Sequence, residues 1–247
     1  MNDHPMSRNL GNPFEDLQDE DAIWQCLQQH VQQHFGITSV LYAFTHSRYT
    51  ASRTGFTSSL FLRHNLPDDY VASFPDGLTL DDDIASEQVV SGVAEILWSD
   101  FDALNLRPVQ RNRRTIDKAL GMDVGVTFGL RFGGTSGFGG MCWASRHTPA
   151  ADFALISQAR RAEMAQLARQ FDQAMRPVMV RKKFNPTPRE LEVMSYSAGG
   201  MTAKQIADHL QLSPKTITNT LERARKSMQA VSTMEAVAKA LIYELIG

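Results

Sequence analysis

The chain has 247 residues, 43% of them hydrophobic and 21% charged, enough to bury one large core or two modest ones. No apolar run approaches the roughly 18 residues that cross a bilayer, and the start MNDHPMSRNLGNPFEDLQDEDA has neither the basic nor the apolar stretch of a signal peptide, so a cytoplasmic protein without a membrane partner is expected. The net charge of −2 conceals a polarity: from Arg181 onward 10 Lys/Arg stand against 6 Asp/Glu, and the remainder carries 15 against 21.

Glu20 to Phe35 places Ile23, Leu27, Val31 and Phe35 four residues apart, which predicts an amphipathic helix. His30 and His34 lie one turn apart off that stripe. Their spacing suits a metal, but no third ligand is near, so they read as surface histidines and no metal is expected. SVLYAFTH, SLFLRH, GVTFGLRF and GMCWAS, rich in β-branched or aromatic residues and bounded by Gly, Ser or Pro, predict strands. Asp81-Asp82-Asp83 is a charge run beside a helix start. GGTSGFGG, from Gly133 to Gly140, lacks the GxGxxG order and is followed by no phosphate-loop lysine, so it predicts a hairpin connection. Thr148 to Val178 predicts a long helix. Helices alternating with antiparallel-type strands imply an α+β domain, three layers with the sheet in the middle. Cys26 and Cys142 have no disulfide or metal spacing and read as buried thiols in a reducing compartment. No nucleophile, acid pair or phosphate loop stands out, so no enzyme is expected.

MRPVMVRKKFNPTPRE holds three prolines and the basic cluster Arg181, Lys182 and Lys183, which predicts a break in any incoming helix and a linker over 176–186. Thr187-Pro188-Arg189-Glu190 then offers a hydroxyl cap, a first-turn proline and a third-position carboxylate, so a helix starts there and stops near Gly199-Gly200. Thr202 to Gln205 repeats the box, with Ile206, Ala207 and Leu210 as the inward stripe of a second helix. Ser213-Pro214 caps a third, in which Ile217, Leu221, Ala224 and Met228 share one buried face. Ser232 to Glu235 opens a fourth, whose Ala236, Val237, Ala240, Leu241 and Leu245 give more apolar surface than four helices need, suiting a twin in a dimer. The second and third helices are joined by a turn of a few residues, as in a helix-turn-helix. Lys215, Thr218, Asn219, Glu222, Arg223 and Lys226 avoid the apolar stripe of the third helix, so that its outer face can read bases and hold phosphates.

The segment TPRELEVM followed by AGGMTAKQIADHLQLSPKTITNTLERARKSM resembles the DNA-binding domain of LuxR-type regulators. Glu190, Gly200, Ile206, Ala207, Leu210, Ser213, Thr216 and Ile217 fall on the family's pattern. Thr220, Ser227 and Met194 replace a frequent histidine, lysine and leucine, which bears on operator sequence more than on fold. Within this domain Lys215, Thr218, Asn219 and Arg223 are the expected major-groove contacts, and Thr202, Lys204 and Lys226 the candidates for phosphate.

The resemblance extends upstream over about residues 20–175 through LPDDYVASF, DDDIAS, ILWSD, GVTFGLRF and GFGGMCWAS. It implies an acyl-homoserine-lactone sensor in which Asp83 accepts the ligand's amide proton, Trp98 packs on the lactone ring and Thr127 lies near the acyl carbonyl. Tyr70 stands where the family has a tryptophan that meets the lactone carbonyl, Phe74 where it has a tyrosine, Leu66 where another aromatic lines the pocket, and Ile84 where a proline follows the aspartate. Tyr70 retains a donor and Phe74 has none.

The expectation is therefore an α+β chain in two domains. Residues 1–175 form an α-β-α sandwich with a central antiparallel sheet that senses ligand and dimerises, and 187–247 form an all-α, four-helix helix-turn-helix domain. The resemblance implies a homodimeric transcription regulator of the quorum-sensing type, binding an acyl-homoserine lactone or related small amphiphile and double-stranded operator DNA, with no other cofactor and with RNA polymerase as a further partner. The four departures support a second reading, a regulator of the same architecture that answers a non-lactone signal, a partner protein or no ligand. Ligand that promotes DNA binding and ligand that releases it are both open.

Overall fold

A computed structural model describes residues 11–46, 60–74, 83–134, 137–146 and 148–247. The chain opens with α1 (Glu20–Phe35), started by the Asp19 carboxylate, which accepts from the amides of Asp21 and Ala22, and stopped by Gly36 at φ 68°. Strands β1 (Ser39–Thr45) and β2 (Phe61–His64) follow, then a single turn α2 (Asp68–Val71), α3 (Ile84–Ser91), β3 (Glu95–Leu97), a 3₁₀ turn Trp98–Ala103, α4 (Pro108–Ala119) and the pair β4 (Gly125–Phe132) and β5 (Gly137–Ala144). The sheet is antiparallel throughout, in the order β2-β1-β5-β4-β3. β3 and α4 were not expected. β3 has only three residues, and α4, PVQRNRRTIDKA, is too polar to show an apolar stripe. The predicted hairpin connection is found where Phe132 pairs with Gly137; residues 135 and 136 of it lie outside the described residues, as do Asp81 and Asp82 of the charge run.

Strand alternation gives the sheet two unlike faces. Val40, Tyr42, Phe44, Val126, Phe128, Leu130, Met141 and Trp143 point at α1 and at the long helix α5 (Ala150–Phe184), where they meet Ile23, Leu27, Val31, Phe153, Leu167 and Phe171 in one core. Each such fully buried side chain contributes about 1.5–3 kcal/mol. The opposite face is mostly small, with Ala43, Thr127, Gly129, Gly140, Cys142 and Ala144 beside the larger Leu41, Arg131 and Phe138, and is covered by α2, α3 and α4. The three layers are therefore helix, sheet and helix, with a shallow sheet surface under the second helical layer.

The structure departs from the expected linker. α5, kinked at Arg160 (φ −119°), does not end near Val178 but continues to Phe184 with Pro177 inside it, and the break falls at Asn185, in a left-handed conformation at φ 43°. An internal proline costs about 3 kcal/mol through a lost bond and a clash. Two features offset it: Gln173, whose carbonyl loses the bond, is exposed to water, and Met175, Met179, Val180 and Phe184 are buried on the other side. Four helices follow: α6 (Pro188–Ala198), α7 (Ala203–Leu210), α8 (Pro214–Ser227) and α9 (Thr233–Ile242), capped by Thr187, Thr202, Ser213 and Ser232 as the sequence predicts. No helix among the described residues is long and apolar enough to cross a membrane.

The apolar surplus of α9 is only partly left over. Ala236 and Ala240 are buried, and Tyr243 just beyond the helix inserts among Phe44, Phe61, Phe132 and Phe184 with ring centroids 5.5–6.2 Å away. The C-terminal bundle thus shares a core with the sheet domain. His30 also differs from expectation: it is half-buried, its Nε2 enclosed and unbonded, while His34 is exposed, with the two rings 4.4 Å apart.

Candidate functional site

The outer face of α8 is presented as the sequence predicts. Ile217, Thr220 and Ala224 are buried, which turns Lys215, Thr218, Asn219, Glu222, Arg223 and Lys226 outward into solvent. Among the described residues Lys215 and Asn219 have no partner, so both are available to another molecule. Arg223 leans on the Thr220 hydroxyl through Nη2 at 3.2 Å, and Lys226 lies 4.0 Å from Glu222, an exposed contact of little energetic weight. The Thr218 hydroxyl donates to the Pro214 carbonyl, and that of Thr202 is occupied in its own capping box with Gln205. Lys204 is exposed on the first turn of α7. The turn between the two helices is built by Gln211 in the left-handed region at φ 54° and by the Ser213 cap.

The second constellation sits between the small-residue face of the sheet and α2 to α4. Tyr70, Ile84, Trp98, Phe101 and Met122 are buried together there, with Leu66, Phe74 and Cys142 packed against them. Of the residues expected to meet a ligand, Tyr70, Phe74, Trp98 and Leu66 are thereby gathered in one cluster, and Asp83 and Thr127 border it. The Trp98 indole donates to the Thr127 hydroxyl at 2.8 Å. A Cβ on Gly125 would lie 2.8 Å from the Trp98 ring and 2.6 Å from the Trp143 carbonyl oxygen, so the glycine is what lets the indole lie flat on β4. Asp83 is satisfied from within the chain: its carboxylate caps α3, accepting from the Ser86 amide at 2.6 Å. Burial pushes its pKa up against that bond. The Cys142 thiol is likewise pushed up to about 12, by burial first and by the charge of Asp83 second, and is an inert wall atom.

Three residues that the sequence did not single out organise this cluster, and all lie on polar α4. Arg114, buried, donates to the Trp98 and Asp123 carbonyls at 2.8 and 3.1 Å and so pins the 3₁₀ turn. Asp117 accepts the Tyr70 hydroxyl proton at 3.0 Å and the Arg113 Nε proton at 2.7 Å. The Arg113 guanidinium stacks 4.1 Å from the Phe74 ring and 4.9 Å from that of Tyr70. The signal that would have found them is the run of cations Arg111, Arg113, Arg114 and Lys118 in a helix that follows an aromatic cluster, which sequence alone presents as a solvated face.

A third feature ties the sheet domain to the C-terminal segment. Arg176 on α5 bonds Asp172 at 3.2 Å and Glu244 at 2.8 Å, and Asp172 accepts the Tyr42 hydroxyl proton at 2.6 Å. Glu244 in turn accepts from the Gly133 amide at 3.3 Å.

Residues 187–240 match the family described as GerE, bacterial regulatory proteins of the luxR family, so the C-terminal helices are a LuxR-family regulatory domain. No curated protein matches the chain by sequence. The crystal structure of Escherichia coli SdiA resembles it over 94% of both chains, with a TM-score of 0.56 and 17% identity. SdiA in complex with octanoyl-rac-glycerol resembles it over 93% of this chain and 91% of that one, with a TM-score of 0.56 and 18% identity. CepR2 from Burkholderia cenocepacia, an N-acylhomoserine lactone dependent LuxR family transcription factor, covers 65% of this chain and 86% of its own, with a TM-score of 0.49 and 17% identity. The α+β fold, with sheet domain and helical bundle in one chain, is that of SdiA.

Proposed function

We propose that the chain is a ligand-responsive transcription regulator, not an enzyme, which binds operator DNA as a homodimer. α8 is its major-groove helix, with Lys215, Thr218, Asn219 and Arg223 toward bases and Lys204, Lys226 and Thr202 toward phosphates. A small amphiphile of the acyl-homoserine-lactone class or a relative occupies the cluster between the sheet and α2 to α4, lined by Leu66, Tyr70, Phe74, Asp83, Trp98 and Thr127. The observation that carries the reading is the exposed polar face of α8, with Lys215 and Asn219 unpartnered, inside a LuxR-family regulatory domain. The small-residue sheet face under α2 to α4 supports the ligand half of it, since Gly140 lies there beside Thr127 and Val89 with no side chain of its own. Exposed Val231, Met234 and Leu241 around α9 support pairing of two copies. Ligand acts by mass action on the folded, DNA-competent form, and the cytoplasm and RNA polymerase are the matching setting.

The test is selection of genomic fragments by the full-length protein, followed by anisotropy titration with and without N-octanoyl-homoserine lactone. Sequence-specific binding that changes with the lactone is expected. Binding no tighter to selected than to random fragments overturns the regulator; specific binding indifferent to every lactone leaves the second reading, a different signal. Tyr70 favours that second reading to one degree, because its hydroxyl proton is directed to Asp117 rather than to a guest.

A further inference from the structure

Arg113 is an unusual presence beside an apolar cluster. Its Nε donates to Asp117 at 2.7 Å, and its Nη1 donates to the Ser73 hydroxyl at 2.9 Å and the Ser73 carbonyl at 3.4 Å. Its Nη2 is buried and has no hydrogen-bond partner. A guanidinium N–H taken from water and left unpaired is costly, and native chains leave few such groups without a use. Nor is the arm free to turn away: the Asp117 bond fixes one edge of the guanidinium and the Phe74 ring, 4.1 Å from its carbon, fixes its plane.

The surrounding groups say what such a donor is for. Tyr70 is not available as a donor, because its proton is committed to Asp117. Phe74 has no polar atom and serves as a platform for the cation. Trp98 donates to Thr127. Among the described residues, the buried donor at this end of the cluster without an acceptor is therefore Arg113 Nη2. Asp117 and Asp83 lie beside Arg113, and the charge of Asp83 is felt at Asp117 and Tyr70. An anionic guest would bring a further carboxylate-like charge beside Asp83 and Asp117, whereas a neutral one with a carbonyl oxygen suits the arginine and leaves Asp83 to accept an N–H or O–H.

Resting on the sensor reading above, we propose that Arg113 Nη2 is the donor that holds the head-group carbonyl of the ligand, which is a neutral amphiphile offering that carbonyl to Arg113 and an N–H or O–H to Asp83. Arg113 takes over the head group because Tyr70 has been drawn away from it.

The experiment measures Kd for the full-length protein with N-octanoyl-homoserine lactone, with N-octanoyl-3-aminotetrahydrofuran, which lacks only the ring carbonyl, and with octanoate. The readout is the ratio of the first two Kd values within one protein, which a merely structural arginine would not set. Wild type is expected to favour the lactone roughly ten- to a hundredfold. Arg113→Lys keeps the charge and a bond to Asp117 but has no second nitrogen, and should bring the ratio near one. Arg113→Met, which keeps the stack on Phe74, gives the same ratio should the lysine variant be unstable. Equal ratios in wild type and both variants overturn the inference while the sensor reading stands. Octanoate bound more tightly than the lactone overturns the neutral head group. Wild type that binds none of the three overturns the sensor reading and this inference with it.

Discussion

The Tyr243 hydroxyl lies 3.1 Å from Nδ1 of His46, tying the end of the last helix to the end of the first strand. The contact is buried and the Tyr243 ring packs among four phenylalanines, so residues 187–247 are held against the sheet by core packing as well as by the peptide at Asn185. Tyr243→Ala removes the ring that fills this box and should cost about 3–5 kcal/mol, the range for a large aromatic truncated in a core. Urea denaturation followed by tryptophan fluorescence checks it. All three tryptophans lie in the sheet domain, so a midpoint that does not move would mean the bundle contributes nothing to that domain's stability.

His46 makes the same junction sensitive to acid. Burial lowers its pKa from 6.5 to about 4, with Lys239 and Lys183 adding repulsion and Glu235 opposing it. Between pH 6.5 and 4 the unfolded chain binds a proton that the folded chain refuses, so stability falls as pH drops through this window and is flat above it. After allowance for partial solvent access the loss is on the order of 2 kcal/mol. Glu235, beside His46, is held below the usual carboxylate range by the bond from Lys239 despite its burial. The check is the difference in Tm between pH 7.5 and 5 for wild type and His46→Gln; an equal drop in both removes His46 as the cause.

Gly125→Ala tests the seat of Trp98. The added Cβ meets the indole at 2.8 Å and a strand carbonyl at 2.6 Å, and only the indole can yield. The variant should lose the Trp98 to Thr127 bond and about 1–3 kcal/mol of stability. A blue-shifted, unchanged tryptophan emission together with wild-type stability would show that the pocket accommodates the methyl group.

On DNA the two classes of contact separate by salt. Lys204→Ala and Lys226→Ala should each weaken binding to all fragments alike and reduce the slope of log K against log salt by about 1. Arg223→Ala and Asn219→Ala should cost about 1–3 kcal/mol on the selected sequence and less on random DNA. Equal losses on both DNAs would move Arg223 and Asn219 to the phosphate group.

What the sequence made legible follows from where its signals are local. Caps such as Thr187 with Glu190 and Ser213 with Thr216 are complete within four residues, and all four C-terminal helices are found where those caps put them. The β-branched and aromatic residues of GVTFGLRF likewise place the strand where it is found. Pro177 misled because its local penalty is real but is outweighed by Met179, Val180 and Phe184, whose burial depends on a strand and a helix far away in sequence. Arg113 and Asp117 were invisible for the same reason: a cation and a carboxylate four apart on a polar helix look solvated until Tyr70 and Phe74 are folded over them.

Asp83 shows how a ligand contact and a helix cap must be told apart. Its carboxylate already accepts the Ser86 amide at 2.6 Å, so Asp83→Ala removes the cap of α3 and should cost about 0.5–2 kcal/mol with no ligand present. A loss of lactone response in that variant is therefore ambiguous. Asp83→Asn keeps an acceptor oxygen for Ser86 and, because burial already disfavours the charged carboxylate, should leave the ligand-free Tm nearly unchanged. If Asp83 also accepts a proton from the ligand, the asparagine variant should bind N-octanoyl-homoserine lactone severalfold more weakly, since a neutral amide is a poorer acceptor than a carboxylate. Thermal shift with and without the lactone separates the two roles. A full lactone shift in Asp83→Asn, beside a lowered ligand-free Tm in Asp83→Ala, would assign Asp83 to the cap alone.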